Sequence, residues 1–174
     1  MHAQLDNDLG LTRAGCSRVA YEAFLRGSLA ALQPLESQLD TASRGPESRC
    51  HLLLEDLASL GAQSAPKALL EVPNLDSEAA RLGARYVVEG SALGGAVLAR
   101  ALDARLGLNG GAQRFLTMHG ARLSDHWRSF VQELEDWGQR ASGEMRIEAC
   151  ESAKAVFGLY RAAFHSTGSL RNAS

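Results

Sequence analysis

The sequence has few of the features that mark disulfide-rich, zinc-binding or membrane proteins. It contains three cysteines, Cys16, Cys50 and Cys150, which are far apart and include no C-x-x-C pair. This pattern excludes a disulfide framework and a cysteine-based zinc site, and it favours reduced thiols in a cytoplasmic protein. No apolar run approaches the roughly 18 residues that span a bilayer. The N-terminus, with Asp6 and Asp8, does not have the pattern of a signal peptide. We therefore expect a cytoplasmic protein without a membrane span.

The chain also has no strong excess of charge. Its 18 basic and 20 acidic side chains give a net charge of −2, and its pI is about 6.2. Nucleic-acid binding requires a concentrated basic surface, so no nucleic-acid partner is expected. All but two of the basic residues are arginines scattered along the chain. Scattered arginines suit local tasks such as binding a carboxylate.

Period-two alternation, the mark of a half-buried strand, is absent from the sequence. Apolar residues instead recur at helical spacing, and Gly and Pro separate the segments. We predict an all-α fold, a single multi-helical domain over residues 1–174 with a frayed tail at 166–174. About seven helices are expected, at approximately 1–9, 18–39 with a kink or split at Pro34, 48–60, 76–107, 112–119, 120–137 and 142–164.

The predicted helix at 76–107 is the unusual one. It opens with Asp76 as a candidate N-cap, has Glu78 in its first turn and closes at Gly107. Its interior contains four glycines, and each costs about 1 kcal/mol relative to alanine. Residues 83, 87, 90, 94 and 97 follow one another at spacings of four and three, so small residues share one face.

Two interpretations of this glycine face remain open. Small residues at helical spacing usually allow another helix to approach closely. Alternatively, the exposed backbone is the floor for a flat ligand. The doublet Gly94-Gly95 favours a ligand, because helix packing rarely needs two consecutive glycines and a doublet allows a kink.

The segment Tyr86-Val87-Val88-Glu89-Gly90-Ser91-Ala92-Leu93-Gly94-Gly95 resembles the distal-helix motif of the bacterial heme oxygenases. The resemblance implies the helical fold of that family, with heme held between two helices. It also implies an enzyme that cleaves heme to biliverdin, carbon monoxide and ferrous iron. Heme would be both substrate and cofactor, and the reaction would need dioxygen and electrons from a ferredoxin or a reductase.

The resemblance assigns roles to the motif residues. Gly90, Ser91 and Gly94 would be the catalytic positions, and Gly90, Gly94 and Gly95 would contact heme. Mammalian relatives have an aspartate where this chain has Ser91, so the hydrogen-bond donors near the bound ligand must differ. The ordinary alternative for Ser91 is a hydroxyl bonded to a carbonyl one turn earlier in the helix.

Five histidines are present, at positions 2, 51, 119, 126 and 165, and any one is more often structural than a metal ligand. The resemblance singles out His2. The order His2-Ala3-Gln4-Leu5-Asp6, followed by Tyr21-Glu22-Ala23-Phe24-Leu25, matches the family's proximal helix and implies that His2 binds the heme iron. Family members usually have at least one further helical turn before this histidine, which this chain lacks.

Three further residues match family positions around heme. Arg128 and Arg85 are candidates for binding the propionates, and Phe157 would form a wall of the distal pocket. Their alternatives are ordinary surface arginines and a core aromatic residue.

The rival to the enzyme is a non-catalytic heme-binding or interaction module on the same fold, with a degenerate proximal helix. Oligomeric state and the meso carbon attacked are open at this stage.

Overall fold

The computed structural model describes residues 17–39, 48–62, 70–108 and 111–168. Five α-helices lie in these ranges: α1 (Arg18–Glu36), α2 (Arg49–Ser59), α3 (Glu78–Leu106), α4 (Leu123–Arg140) and α5 (Gly143–Ser166), with a 3-10 turn at Gly120–Arg122. The described part of the chain contains no strand. The prediction of an all-α fold is therefore confirmed. The helix predicted at 1–9 and most of the predicted tail lie outside the described residues.

Serine begins four of the five helices. A serine side chain accepts a hydrogen bond from the backbone N–H three residues later and so satisfies one of the free donors at a helix start. The caps are Ser17 on α1, Ser48 on α2, Ser77 on α3 and Ser142 on α5. The predicted cap at Asp76 was therefore wrong by one residue, since Asp76 instead bonds to Asn74 in the turn before the helix. The predicted end of α3 is confirmed, because Gly107 has the left-handed φ of 61°.

Pro34 lies inside α1, two residues before its end, and does not split the helix. A proline near a C-terminus removes only one intrahelical hydrogen bond, which α1 tolerates. The helix stops at Glu36, three residues short of the predicted end, and the Ser37 hydroxyl donates to the Pro34 carbonyl at 2.8 Å.

The helix predicted at 112–119 was wrong. These residues form consecutive turns that lead into the 3-10 turn and α4. Ala112 has a φ of 60°, and its carbonyl accepts a hydrogen bond from the buried Tyr21 hydroxyl of α1 at 2.6 Å. The buried amide of Gln113 donates to the Ala99 carbonyl of α3 at 3.0 Å. Contacts to distant elements thus override the local helical pattern.

The buried carboxylate of Asp56 on α2 also holds this segment. Its two oxygens accept hydrogen bonds from the backbone N–H groups of Arg114 and Phe115, both at 2.9 Å. Burial raises the pKa of Asp56, an effect that these two N–H groups partly oppose. Residues 112–119, which we call the turn segment, are therefore fastened to α1, α2 and α3.

α3 lies in the centre of the described helices. It packs closely on α5, where Gly83 faces the backbone of Ala149 and the Ser152 hydroxyl donates to the Ala80 carbonyl at 2.7 Å. The main core joins α1, α2, α3 and α5, and a smaller cluster around Phe130 and Trp137 fixes α4. In the described ranges, no helix is both long and apolar enough to cross a membrane.

Candidate functional site

One side of α3 presents a strip of apolar and glycine residues to solvent. We call Tyr86, Gly90, Leu93, Gly94 and Val97 the apolar stripe. They follow at helical spacing, and the three large side chains are exposed by 39%, 40% and 54%, in the order Tyr86, Leu93 and Val97. A Cβ added at Gly94 would meet no described atom within 4 Å. Large exposed apolar side chains beside bare backbone are typical of a surface that receives a ligand or partner.

The stripe does not occupy the whole glycine face predicted from the sequence. Gly83, seven residues before Gly90, packs against α5, and Val87 is buried. Gly94 and Val97 are exposed. The packing interpretation therefore holds for the first half of the helix, where Gly83 meets α5. The second half is open at Gly94, and the interpretation of that half as a ligand floor stays a prediction.

Gly95 and Ser91 lie beside the stripe. Gly95 is buried, and a Cβ there would lie 2.9 Å from the Leu116 carbonyl oxygen, so this glycine makes room for the turn segment. The Ser91 hydroxyl donates to the Val88 carbonyl at 2.7 Å, which is the ordinary alternative stated above. This bond uses the only hydrogen that the hydroxyl can donate, and the lone pairs of its oxygen can still accept a hydrogen bond. The assigned heme contact of Gly95 and catalytic role of Ser91 stay predictions.

Arg85 is directed toward α4. Its guanidinium donates to both carboxylate oxygens of Glu133, at 2.6 and 2.9 Å, and lies 5.0 Å from the centre of the Phe130 ring. Gly90 is five residues further on, which places it about 140° around the helix axis from Arg85. The structure therefore does not bring Arg85 to the stripe.

The remaining three residues predicted to contact heme do not belong to α3. Arg128 on α4 pairs with Asp125 at 2.9 Å, and both side chains are 75% exposed. Phe157 on α5 is half-buried against the main core. His2, the predicted iron ligand, lies outside the described residues. The assigned heme contacts of these three residues stay predictions.

A polar cluster that the sequence interpretation missed lies beside the stripe, along its Tyr86 and Leu93 edge. We call Glu89, His119 and His126 the Glu89 cluster. The Glu89 side chain is buried, and its Oε2 lies 2.7 Å from Nε2 of His126 on α4. Arg49 of α2 donates to the same oxygen at 2.6 Å. The two imidazole rings stack with centroids 4.1 Å apart.

The electrostatics of the cluster follow from these contacts. Burial alone would raise the pKa of Glu89, but the Arg49 charge and the hydrogen bond with His126 outweigh it and hold this pKa below its usual range. Burial lowers the pKa of His119, and the nearby His126 and Arg49 charges lower it further. At neutral pH the cluster therefore contains an ionised carboxylate and, at His119, a neutral imidazole.

Sequence alone gave only a weak signal for this cluster. Glu89 is a charged residue among small and apolar ones in the Tyr86–Gly95 motif, and His119 and His126 are seven residues apart, which is two helical turns. The seven-residue spacing would suggest that both histidines lie on one helix, but His119 precedes α4 and lies in the turn segment.

The described helices and the apolar stripe define a helical protein whose central helix offers a flat, glycine-lined surface. The heme oxygenase family model matches residues 2–166, nearly the whole chain. The chain therefore belongs to the heme oxygenase family, as the motif indicated. It is 40% identical over 113 residues to a heme oxygenase of Xanthomonas campestris pv. campestris (strain 8004).

That alignment covers 63% of this chain and 62% of the Xanthomonas protein, so less than two thirds of the relative is matched. No solved structure matches the chain.

Proposed function

We propose that this protein is a heme oxygenase that binds heme on the apolar stripe and degrades it to biliverdin, carbon monoxide and ferrous iron. The observation that carries the proposal is the Tyr86–Gly95 motif, which in α3 leaves Gly94 open beside exposed Leu93 and Val97. Membership of the heme oxygenase family supports it. Dioxygen and a ferredoxin or reductase as electron donor belong to the proposal, as does the cytoplasm, which the free thiols of Cys50 and Cys150 support.

The stripe fits one face of a heme. A flat, largely apolar ring needs a surface without projecting side chains, and Gly90 and Gly94 provide it, while Leu93 and Val97 supply apolar contact. The Tyr86 ring, 6.0 Å from the Trp127 ring of α4, is held at one end of the stripe. When bound, heme supplies both the redox-active iron and the ring that is oxidised.

On the stripe side of the heme, the chain's own residues would position the ring and keep acid and base groups away from it. The stripe residues carry no carboxylate, imidazole or guanidinium, so they offer no strong acid or base to a ligand bound there. The Ser91 hydroxyl donates to Val88, so Ser91 can accept a hydrogen bond from an ordered water. We assign Ser91 the role of orienting such a water, in place of the aspartate of mammalian relatives.

Arg128 is the better of the two arginine candidates for the propionates. An exposed ion pair such as Arg128 with Asp125 is worth about 0–1 kcal/mol, so a propionate can replace Asp125 at little cost. Arg85 would have to give up two charge-assisted hydrogen bonds to Glu133 and its contact with Phe130. His2 is retained as the proposed iron ligand, and Phe157 as a proposed pocket wall.

The test is an absorption titration of the purified protein with ferric heme, followed by ascorbate or a ferredoxin system in air. We expect a Soret band that saturates at one heme per chain, is lost in His2→Ala, and converts to a biliverdin spectrum. Gly94→Leu should fold, because a Cβ there meets no described atom within 4 Å, but should bind heme weakly. Gly138→Leu on α4, also open at its Cβ, is the matched control.

Each outcome decides between the candidates. Saturable binding without conversion would favour the non-catalytic heme-binding module over the enzyme. No specific Soret band would overturn both heme-dependent functions. Heme binding that Gly94→Leu and Gly138→Leu leave equally intact would show that heme does not lie on the stripe.

A further inference from the structure

The Glu89 cluster brings together three metal-binding side chains from separate parts of the chain. Glu89 comes from α3, His119 from the turn segment and His126 from α4, and one donor atom of each lies within 4.8 Å of the others. Two imidazoles and one carboxylate are the donors that Zn²⁺ and Fe²⁺ take in open, three-ligand sites. We propose that Glu89, His119 and His126 form a binding site for a divalent first-row transition metal ion.

The site borders the apolar stripe but uses none of its residues: Glu89 is four residues before Leu93 and so lies about 40° from it around α3, on the side away from Gly94. Glu89 directly precedes Gly90 in the sequence, so the two lie about 100° apart around α3. Gly94, five residues from Glu89, lies about 140° away. The proposal therefore concerns a second function of the same helix and does not depend on heme binding.

His119 is suited to be a ligand. Its Nε2 is buried, and no described residue offers it a hydrogen-bond partner. Buried polar side-chain atoms are usually paired, so the unpaired Nε2 of this cluster residue needs an explanation. A neutral imidazole has one ring nitrogen with a free lone pair, and that is the form in which histidine binds metals.

The geometry requires a modest contraction. Metal bonds of about 2.0–2.2 Å place neighbouring ligand atoms about 3–3.5 Å apart, compared with separations of up to 4.8 Å here. The His126 side chain is 40% exposed and can turn toward the ion. To bind the ion through Nε2, which now lies 2.7 Å from Glu89 Oε2, His126 would carry its ring proton on Nδ1.

Arg49 has two opposing effects on the site. A carboxylate offers about four acceptor positions, so Arg49 can keep its hydrogen bond to Glu89 and fix the orientation of that carboxylate while another lone pair binds the ion. Its positive charge repels a divalent cation. We therefore expect reversible binding that is weaker than in a closed structural zinc site.

An access route is present beside the cluster. A cavity of about 340 Å³ lies between α3 and the turn segment, and its lining includes His119, Thr117, Gly120, Arg100 and Asp103. His119 belongs to both the cavity and the cluster, so an ion can reach the ligands through this space. The same space leaves room for water or a small anion to complete the coordination.

The test is a titration of the heme-free full chain with Co²⁺ under reducing conditions, followed by visible absorption, and with Zn²⁺ in competition. We expect one ion per chain. His119→Phe keeps a ring to stack on His126 but removes the ligand, and should weaken binding by more than the roughly 10- to 100-fold caused by loss of an outer-shell partner. His126→Gln should do the same.

The control is His51→Gln, which removes an exposed histidine of α2 and should leave Co²⁺ affinity unchanged. Circular dichroism checks that each variant is folded, and the partly exposed His126 keeps the test usable if His119→Phe unfolds. Binding at one equivalent that survives both cluster substitutions would overturn the proposal. So would a sulfur-to-cobalt charge-transfer band, or several weak equivalents equal in wild type and variants.

Discussion

Two glycines of α3 should respond to the same substitution in opposite ways. At Gly83, a Cβ would overlap the Ala149 carbonyl oxygen and lie 2.8 Å from its carbon and 3.1 Å from its Cα. These are backbone atoms of α5, which cannot rotate aside as a side chain can, so α3 and α5 would have to move apart. At Gly94, a Cβ meets no described atom within 4 Å.

The magnitudes follow from three terms. Replacing glycine by alanine inside a helix favours folding by about 1 kcal/mol at either position. Overpacking at Gly83 costs about 1–3 kcal/mol and sometimes more. Separation of the helices also weakens the bond of Ser152 to Ala80, one turn away, whose net contribution is about 1 kcal/mol. We expect Gly83→Ala to lower the free energy of unfolding by about 1–3 kcal/mol, and Gly94→Ala to raise it by up to about 1 kcal/mol.

The assay is urea and thermal unfolding of the heme-free protein by circular dichroism. For a chain of this size, 1 kcal/mol corresponds to about 2–4 °C in Tm. Gly138→Ala on α4, which is also open, should stabilise the fold as Gly94→Ala does and leave heme affinity unchanged. Heme affinity should fall for Gly94→Ala alone. A Gly83→Ala protein as stable as Gly94→Ala would refute the close packing of α3 on α5.

Three further predictions concern buried groups. Asp56→Asn should lower the free energy of unfolding by about 1–3 kcal/mol in urea titrations, because the amide NH2 takes the place of one carboxylate oxygen and leaves one of the two backbone N–H groups without its acceptor. Tyr21→Phe should cost about 1–3 kcal/mol in the same assay, since it leaves the buried Ala112 carbonyl unpaired. Burial, and then Glu36, raises the pKa of Cys50 well above its usual range. A thiol reagent at pH 8 should therefore modify the exposed Cys150 faster than Cys50 in a Cys16→Ser background, and equal rates would contradict this. Because the Cys50 pKa is higher in the folded state than in the unfolded state, its contribution to stability is present below the unfolded pKa and is lost as pH rises toward the folded value.

Sequence pattern predicted the parts of the fold that depend on local chemistry. Helical spacing located α1 to α5, and Gly107 ended α3 because a left-handed residue there favours glycine. The motif in α3 also identified the family. These features are contained in short segments, so one sequence is enough to recognise them.

What surrounds a face could not be predicted in this way. Gly83 and Gly94 have the same position in the helical period, yet one packs against Ala149 and the other is open, because periodicity does not say which element covers a face. The turn segment has a helical pattern but is held in turns by Asp56 and Tyr21, which are distant in sequence. The partner of Arg85 was missed for the same reason, since Glu133 is 48 residues away.

The adjacency of Glu89 and Gly90 has a mechanical consequence for α3. Gly90 belongs to the stripe, and Glu89 bonds to His126 and Arg49. Because both residues are part of one continuous helix, a rotation of α3 that reshapes the stripe also moves the Glu89 carboxylate away from these two partners. The bond between Arg85 and Glu133, one turn before Glu89, resists the same rotation. A substitution that rotates α3 about its axis should therefore change the shape of the stripe and the contacts of Glu89 together.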